Sequence, residues 1–309
     1  MNRKSMIFIF GHRDLVGSGI VRYLKKEGFV NLILADQSEV KFTDQKSVYS
    51  FFKKEKPDYC VLTPIKEGGI GANIAYPAEL IYRNLAIQTN IIDAAYKTKV
   101  KKLLFFASSC VYPAECPQPM KEEYLLTGPL EITNEPYAIA KIAGIKMCQA
   151  YNKQYGTRFI SAIPATVFGP NDNFDFKTSH VISVLIRKFH EAKIKKETKV
   201  SVWGSGKPLR EFLYKDDVVR ACFFLMDNYH DSEIINVGYG QDISIKELAL
   251  LIKDIVGFKG EIIFDKSKPD GTHQKLLDIN KIKRLGWRPR IPLREGIVKT
   301  YAWFKTSVH

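Results

Sequence analysis

Short apolar runs alternate with helix-period segments through the first half of the chain. Met6–Phe10, Leu32–Leu34, Tyr59–Thr63, Leu103–Ala107 and Phe159–Pro164 are brief and rich in branched and aromatic residues, which predicts buried strands. Between them Val16–Glu27, Asp44–Lys54, Pro77–Thr98 and Pro136–Tyr155 carry apolar residues at helical spacing. Such alternation means parallel strands joined by helical crossovers. Residues 1–168 therefore predict an α/β fold with a doubly wound parallel sheet, in which ligands bind beyond the carboxyl ends of the strands.

After Gly169 the rhythm loosens. A helix is expected near His180–Lys193, a turn at Trp203-Gly204-Ser205-Gly206, a helix opened by Asp216-Asp217, and a helix capped by Ser244 and running through Lys253. Ile234–Val237 reads as one more buried strand, so a segment near 213–242 returns to the main sheet. Residues 169–309 then form mainly a smaller substrate-binding lobe, interleaved in sequence with the first.

Composition narrows the function classes. With 45% hydrophobic and 26% charged residues the 309-residue chain reads as a soluble globule, and no apolar run approaches the ~18 residues of a membrane span. Met6–Phe10 follows a basic start as a secretory leader would, but Gly11-His12-Arg13-Asp14 interrupts it too early. The five cysteines are scattered, with neither metal-ligand spacing nor a disulfide framework, so a reducing, cytoplasmic setting and no metal are expected. The formal charge of +14 is spread as pairs such as Lys25-Lys26, Lys53-Lys54, Lys101-Lys102 and Lys195-Lys196. No nucleic-acid module accompanies it, so a phosphorylated small molecule is the expected anionic partner, with neither nucleic acid nor membrane.

Gly11-His12-Arg13-Asp14-Leu15-Val16-Gly17 joins the first strand to the first helix, the place where a dinucleotide pyrophosphate rests on backbone amides in a Rossmann domain. Arg13 favours a 2′-phosphate and hence NADP(H). Asp36, just past the second strand, favours a ribose 2′-hydroxyl and hence NAD(H). Ser108-Ser109-Cys110 is read as the end of strand four, where alternation would set the Ser108 hydroxyl and the Cys110 thiol on one side. In Tyr137-Ala138-Ile139-Ala140-Lys141 one helical turn separates Tyr and Lys, so the ammonium can stabilise a phenolate. Tyr49…Lys53 and Tyr301…Lys305 share that spacing. What sets Tyr137 apart is a serine at the preceding strand end and a strand just downstream. His180 is either a cleft proton donor or a helix cap. Lys188, Trp203, Arg210 and Asp270 are candidate nucleotide-sugar contacts: cation for diphosphate, aromatic for stacking, carboxylate for hydroxyls and amines.

Together with Gly68-Gly69-Ile70, Ser108-Ser109-Cys110-Val111-Tyr112-Pro113, Thr133–Gly144, Ser179-His180-Val181-Ile182, Trp203–Gly206, Arg210-Glu211-Phe212 and Ser267–Thr272, these features resemble the GDP-L-fucose synthases along nearly the whole chain. That family lies among the extended short-chain dehydrogenase/reductases of the NAD-dependent epimerase/dehydratase class. The resemblance implies conversion of GDP-4-keto-6-deoxymannose to GDP-L-fucose by 3,5-epimerisation and 4-reduction. Cys110 would remove the C3 and C5 protons and His180 deliver protons to the opposite face. Tyr137, supported by Lys141 and Ser108, would protonate C4 oxygen as NADPH gives hydride. The implied cofactor contacts are Gly11, His12, Arg13, Gly17, Asp36, Phe106, Ala107, Ser108, Tyr137, Lys141, Pro164, Ala165, Thr166, Val167 and His180. A homodimer through the helices around Asn84–Lys97 and Tyr137–Tyr155 is also implied.

The chain departs from the family pattern on the cofactor side, at Asp14, at Ala35-Asp36 and at Thr63-Pro64-Ile65-Lys66. NAD(H) therefore stays open beside NADP(H). So do a GDP-6-deoxy-heptose epimerase/reductase, a C4-reductase, an NAD-retaining epimerase and, from another class, a catalytically silent nucleotide-sugar-binding scaffold.

Overall fold

The protein is described from a computed structural model covering residues 1–65, 70–268 and 270–307; Lys66, Gly68, Gly69 and Pro269 lie outside the described residues. The chain opens β1 (Ile7–Phe10), α1 (Leu15–Lys26), β2 (Leu32–Ile33), α2 (Gln45–Glu55), β3 (Tyr59–Leu62), α3 (Ile70–Ala75), α4 (Pro77–Lys97), β4 (Lys102–Phe106), α5 (Glu135–Tyr155) and β5 (Phe159–Pro164). Local chemistry sets the boundaries. Asp44 caps α2 by accepting from Ser47 N at 2.7 Å, and Pro136 stands in the first turn of α5, where its missing N–H costs nothing. Gly156 ends α5 in the left-handed conformation at φ 66°.

There follow β6 (Thr166–Phe168), α6 (Val181–Ile194), β7 (Lys199–Trp203), β8 (Leu209–Tyr214), α7 (Lys215–Asn228), β9 (Ile235–Val237), β10 (Asp242–Ser244), α8 (Ile245–Val256), β11 (Glu261–Asp265), β12 (Gln274–Lys275), α9 (Asn280–Arg284) and α10 (Leu293–Ser307). Ser244 and Glu247 form a reciprocal capping box at the start of α8.

The main sheet is parallel, in the order β2-β1-β3-β4-β5-β9. Helix α1 packs on α7, while α2, α4 and α5 pack in succession. Because β2 and β3 flank β1, the chain reverses its direction of travel there, and a crevice opens at the carboxyl ends of β1 and β3. A second group of strands runs β10-β8-β12 with β6 parallel to β8, and β7 pairs with β11.

Two cores result. The first gathers β1, β3, β4, β5, β9 and their helices, joined by Leu277, Ile279, Ile282 and Trp287 from far downstream. The second gathers Phe168, Phe189, Phe212, Tyr214, Leu248, Ile252, Ile297 and Phe304. Neighbouring residues serve different cores: Ala165 and Leu213 belong to the first, Phe168, Phe212 and Tyr214 to the second. In β8 this follows from the alternation of side chains along a strand.

Candidate functional site

The turn after β1 is built around close packing. Gly11 sits at φ 70°, and a Cβ on Gly17 would collide with the Gly11 carbonyl oxygen, so only glycine lets α1 approach the strand end. Thr63 Oγ1 donates to Phe10 O at 2.6 Å and fixes the neighbouring strand end against the turn. Asp14 is the N-cap residue of α1, but its side chain makes no capping hydrogen bond. Arg13, Asp14, Leu15 and Val16 line a cavity of ≈ 380 Å³ with Thr63, Pro64, Ile65 and Asn171–Asn173. His12 is half-buried beside it.

Arg13 and Asp36, which argue for different cofactors, pair with each other: Nη2 lies 2.9 Å from Oδ2. Asp36 also accepts from the side chain and backbone N–H of Ser38. Those bonds first, and the Arg13 charge after them, hold its carboxyl below the usual range. Ala35 is buried.

A small cavity of ≈ 70 Å³ lies where the ends of β4 and β5 meet the start of α1. Ala107, Ser108, Pro164, Ala165, Thr166, Val167 and His180 line it, with Val16 and Pro64. Parallel pairing of β4 with β5 brings the 107–108 and 164–167 segments together, and Phe106 is buried just behind. The His180 side chain makes no capping bond to α6, although His180 is its N-cap residue, and it lines both this cavity and a larger one.

Tyr137 and Lys141 are buried on the first turns of α5. Lys141 Nζ donates to Phe106 O at 3.2 Å and lies 5.6 Å from the Tyr137 ring centroid. The helix reaches that depth because Gly144 lies against the Phe105 ring, where a Cβ would come within 2.5 Å of Cζ. Lysine at this point places a cation under the phenol, the arrangement that favours phenolate.

The expected strand-end position of Cys110 is corrected. Strand β4 ends at Phe106, and Ser109–Val111 forms a turn of 3₁₀ helix, so strand alternation does not relate Ser108 to Cys110. Cys110 instead packs with Tyr137 and Ala138, and it lines a narrow space of ≈ 10 Å³ with Ser109, Glu131, Gln274 and Lys275. Parallel pairing of β12 with β8 sets Lys275 opposite Arg210. Burial is the main cause that lowers the Lys275 pKa, and the nearby Cys110 acts against it. No local pattern marks Lys275, because it becomes adjacent to Cys110 through a long-range strand pair.

Lys188, Trp203 and Arg210 line a cavity of ≈ 400 Å³ together with Thr166, Phe176 and His180. Burial lowers the pKa of both Lys188 and Arg210. Asp270 accepts from Ser205 N at 2.6 Å and Ser205 Oγ at 2.7 Å, which shapes the Gly204–Gly206 turn, and its charge interacts with Arg210 of the cavity wall. Asn171–Asn173 and Phe176 carry only a loop pattern in the sequence. Their signal was the turn-forming cluster after Gly169, which marks a loop without saying what it faces.

Residues 7–238 match the family described as NAD dependent epimerase/dehydratase family. GDP-L-fucose synthase 1 of Arabidopsis thaliana is 53% identical over 307 residues, covering 99% of this chain and 95% of that protein. A GDP-6-OMe-4-keto-L-xylo-heptose reductase from C. jejuni superposes with a TM-score of 0.95 at 40% identity, covering 99% of both chains. A GDP-mannoheptose C4 reductase from Campylobacter jejuni with NADP bound does so at 0.90 and 39%, again covering 99% of both. The glycine turn, the buried Tyr137–Lys141 pair and these full-length similarities agree, and the chain belongs to the NAD-dependent epimerase/dehydratase family, on its GDP-L-fucose synthase branch.

Proposed function

We propose that this protein is an NADP(H)-dependent GDP-sugar 3,5-epimerase/4-reductase that converts GDP-4-keto-6-deoxymannose to GDP-L-fucose. The observation that carries the reading is continuity. Thr166 and His180 border both the small cavity at Ser108 and the larger one holding Lys188, Trp203 and Arg210, so one ligand can span reacting groups and diphosphate cations.

The residues present fit a dinucleotide. Gly11 and Gly17 leave backbone close to the amino end of α1, where amides and the helix dipole attract a pyrophosphate, and Arg13 is exposed beside it for a 2′-phosphate. When bound, the nicotinamide cofactor supplies hydride for C4. Tyr137 gives its phenolic proton to the oxygen forming at C4. Lys141, fully buried beneath, stabilises the phenolate left behind, and Ser108 orients the carbonyl. Cys110 takes the C3 and C5 protons, acidic because the 4-keto group delocalises the resulting charge, and His180 returns protons from the opposite face. Lys188 and Arg210 hold the diphosphate. The first lobe thus carries the cofactor and the second most of the substrate. The chain pairs as a homodimer through α4 and α5, whose outer faces leave Tyr82 and Ile139 exposed.

Incubation with GDP-4-keto-6-deoxymannose and NADPH or NADH in D₂O tests the reading. Oxidation of NADPH, deuterium at C3 and C5 and an inverted product are expected. A cofactor that stays reduced without deuterium entry would overturn it. The likeness to heptose reductases favours a second substrate, a GDP-4-keto-6-deoxy-heptose, which the same assay with that sugar distinguishes.

A further inference from the structure

Three cavities lie in series along the second lobe. The ≈ 70 Å³ cavity at Ser108 meets the ≈ 400 Å³ cavity at Thr166 and His180, and the latter meets an outer cavity of ≈ 320 Å³ at Phe176 and Lys188. Phe176 therefore stands at the end of the cleft opposite the reacting groups. Phe176 is 41% exposed. Arg187 lies over the ring with its guanidinium carbon 4.1 Å from the centroid, and Arg187 is itself held by Glu191 Oε1 at 2.7 Å and Phe174 O at 3.0 Å. The ring is thus backed by a fixed planar cation and borders both cavities.

We infer that Phe176, backed by Arg187, is the platform on which the nucleobase of the nucleotide-sugar stacks, and so a specificity-determining residue at the base end of the cleft. The inference rests on the nucleotide-sugar reading above. With the reacting carbon beside Ser108 and the diphosphate at Lys188 and Arg210, what remains of the ligand is a ribose and a planar base directed outward. A planar base meets an aromatic ring through its face, an interaction that needs no particular hydrogen-bonding edge. A residue that merely completed the core would have its ring covered by protein, and the core of this lobe is closed by Phe174 nearby.

Calorimetric titration of GDP and of inorganic pyrophosphate into the wild type, Phe176→Leu and Phe176→Trp tests this, with Tm recorded for each. Phe176→Leu should bind GDP about 5- to 100-fold more weakly, as loss of one base–aromatic stack implies. Pyrophosphate affinity should stay within twofold, and Phe176→Trp should retain GDP. In turnover Phe176→Leu should raise KM with kcat unchanged, the signature of binding lost equally from ground and transition states. Equal GDP affinity in Phe176→Leu and a GDP-binding wild type would overturn this inference alone. A parallel loss of pyrophosphate in Phe176→Leu would also overturn it, by making the residue structural. A wild type that binds no GDP would remove both the inference and the nucleotide-sugar reading.

Discussion

Arg13 and Asp36 neutralise each other across the mouth of the dinucleotide crevice, 2.9 Å apart, with Arg13 far more exposed than its partner. An exposed pair of this kind is weak and screened by salt, so a 2′-phosphate can take over the guanidinium without a large loss. Arg13→Ala should raise KM for NADPH by roughly 10- to 100-fold, the worth of one charge-assisted phosphate contact, and leave NADH nearly unchanged. Asp36→Asn should lower KM for NADPH. Comparing kcat/KM for the two cofactors checks both; an Asp36→Asn variant that loses NADH alone, with Arg13→Ala silent, would reassign the specificity to Asp36.

Tyr137 and Lys141 act as a unit in the proposed reduction. Tyr137→Phe should lower kcat by about 10²- to 10⁴-fold, the usual contribution of a positioned proton donor, with little change in Tm. Lys141→Met should lower kcat and also move the pH profile of kcat, because the phenolate loses its cation. Single-turnover hydride transfer under saturating cofactor reads both effects.

Cys110 and His180 line different spaces, so their loss should separate epimerisation from reduction. Cys110→Ser should suppress solvent deuterium at C3 and C5 by about 10²-fold or more while still reducing a keto-sugar already inverted at those carbons. His180→Asn should permit proton removal but slow inversion. Mass and NMR spectra of the product distinguish the variants from a general loss of binding.

Glu211 is buried, and its carboxylate accepts from Gly240 N at 2.6 Å and Leu277 N at 2.9 Å, tying β8 to the two segments that follow β9 and β12. Burial pushes its pKa up from the ordinary 4.5 to about 7, and the backbone N–H groups offset only part of that rise. The folded protein thus holds the proton more tightly than the unfolded chain. The resulting stability is fully present below pH 4.5 and is lost as pH rises through about 7, by an amount on the order of 3 kcal/mol. Glu211→Gln should abolish that slope. Urea denaturation from pH 4.5 to 8 measures it, and an unchanged slope would place the titration elsewhere.

Gly144 lets α5 settle on β4. Gly144→Ala should destabilise by about 1–3 kcal/mol through overpacking against Phe105 and reduce kcat by lifting Lys141 from the Phe106 carbonyl. Thermal melts beside kinetics test this, and a variant as stable and active as the wild type would show that the helix has slack.

The sheet was legible because its strands are short apolar runs separated by amphipathic helices. β1, β3, β4, β5 and β9 and helices α1, α2, α4 and α5 lie within a residue of the expected bounds, and α8 runs three residues past Lys253 to Val256. Ser108, Tyr137, Lys141 and His180 could be marked from local patterns, since a strand end, a helical turn and a helix start each announce themselves in adjacent residues. Cys110 was misplaced because a strand and a 3₁₀ turn differ there by hydrogen bonding that no periodicity encodes. Lys275 and Phe176 escaped for a further reason. One gains its neighbours from a two-residue strand pair across the second lobe, and the other from a loop whose facing surface depends on Arg187.

Ala165 and Phe168 are three residues apart yet serve different cores, and β8 divides its side chains between the same two. The first core draws on both ends of the chain and the second takes Phe168 from the strand that leaves the first, so a cut between the lobes would divide an interior. A protease cutting between residues 169 and 180 would leave two pieces still locked by shared strands, and a gene fragment encoding either half would lack part of each interior. The proposed cofactor and sugar sites are therefore expected to melt together, in one calorimetric transition rather than two.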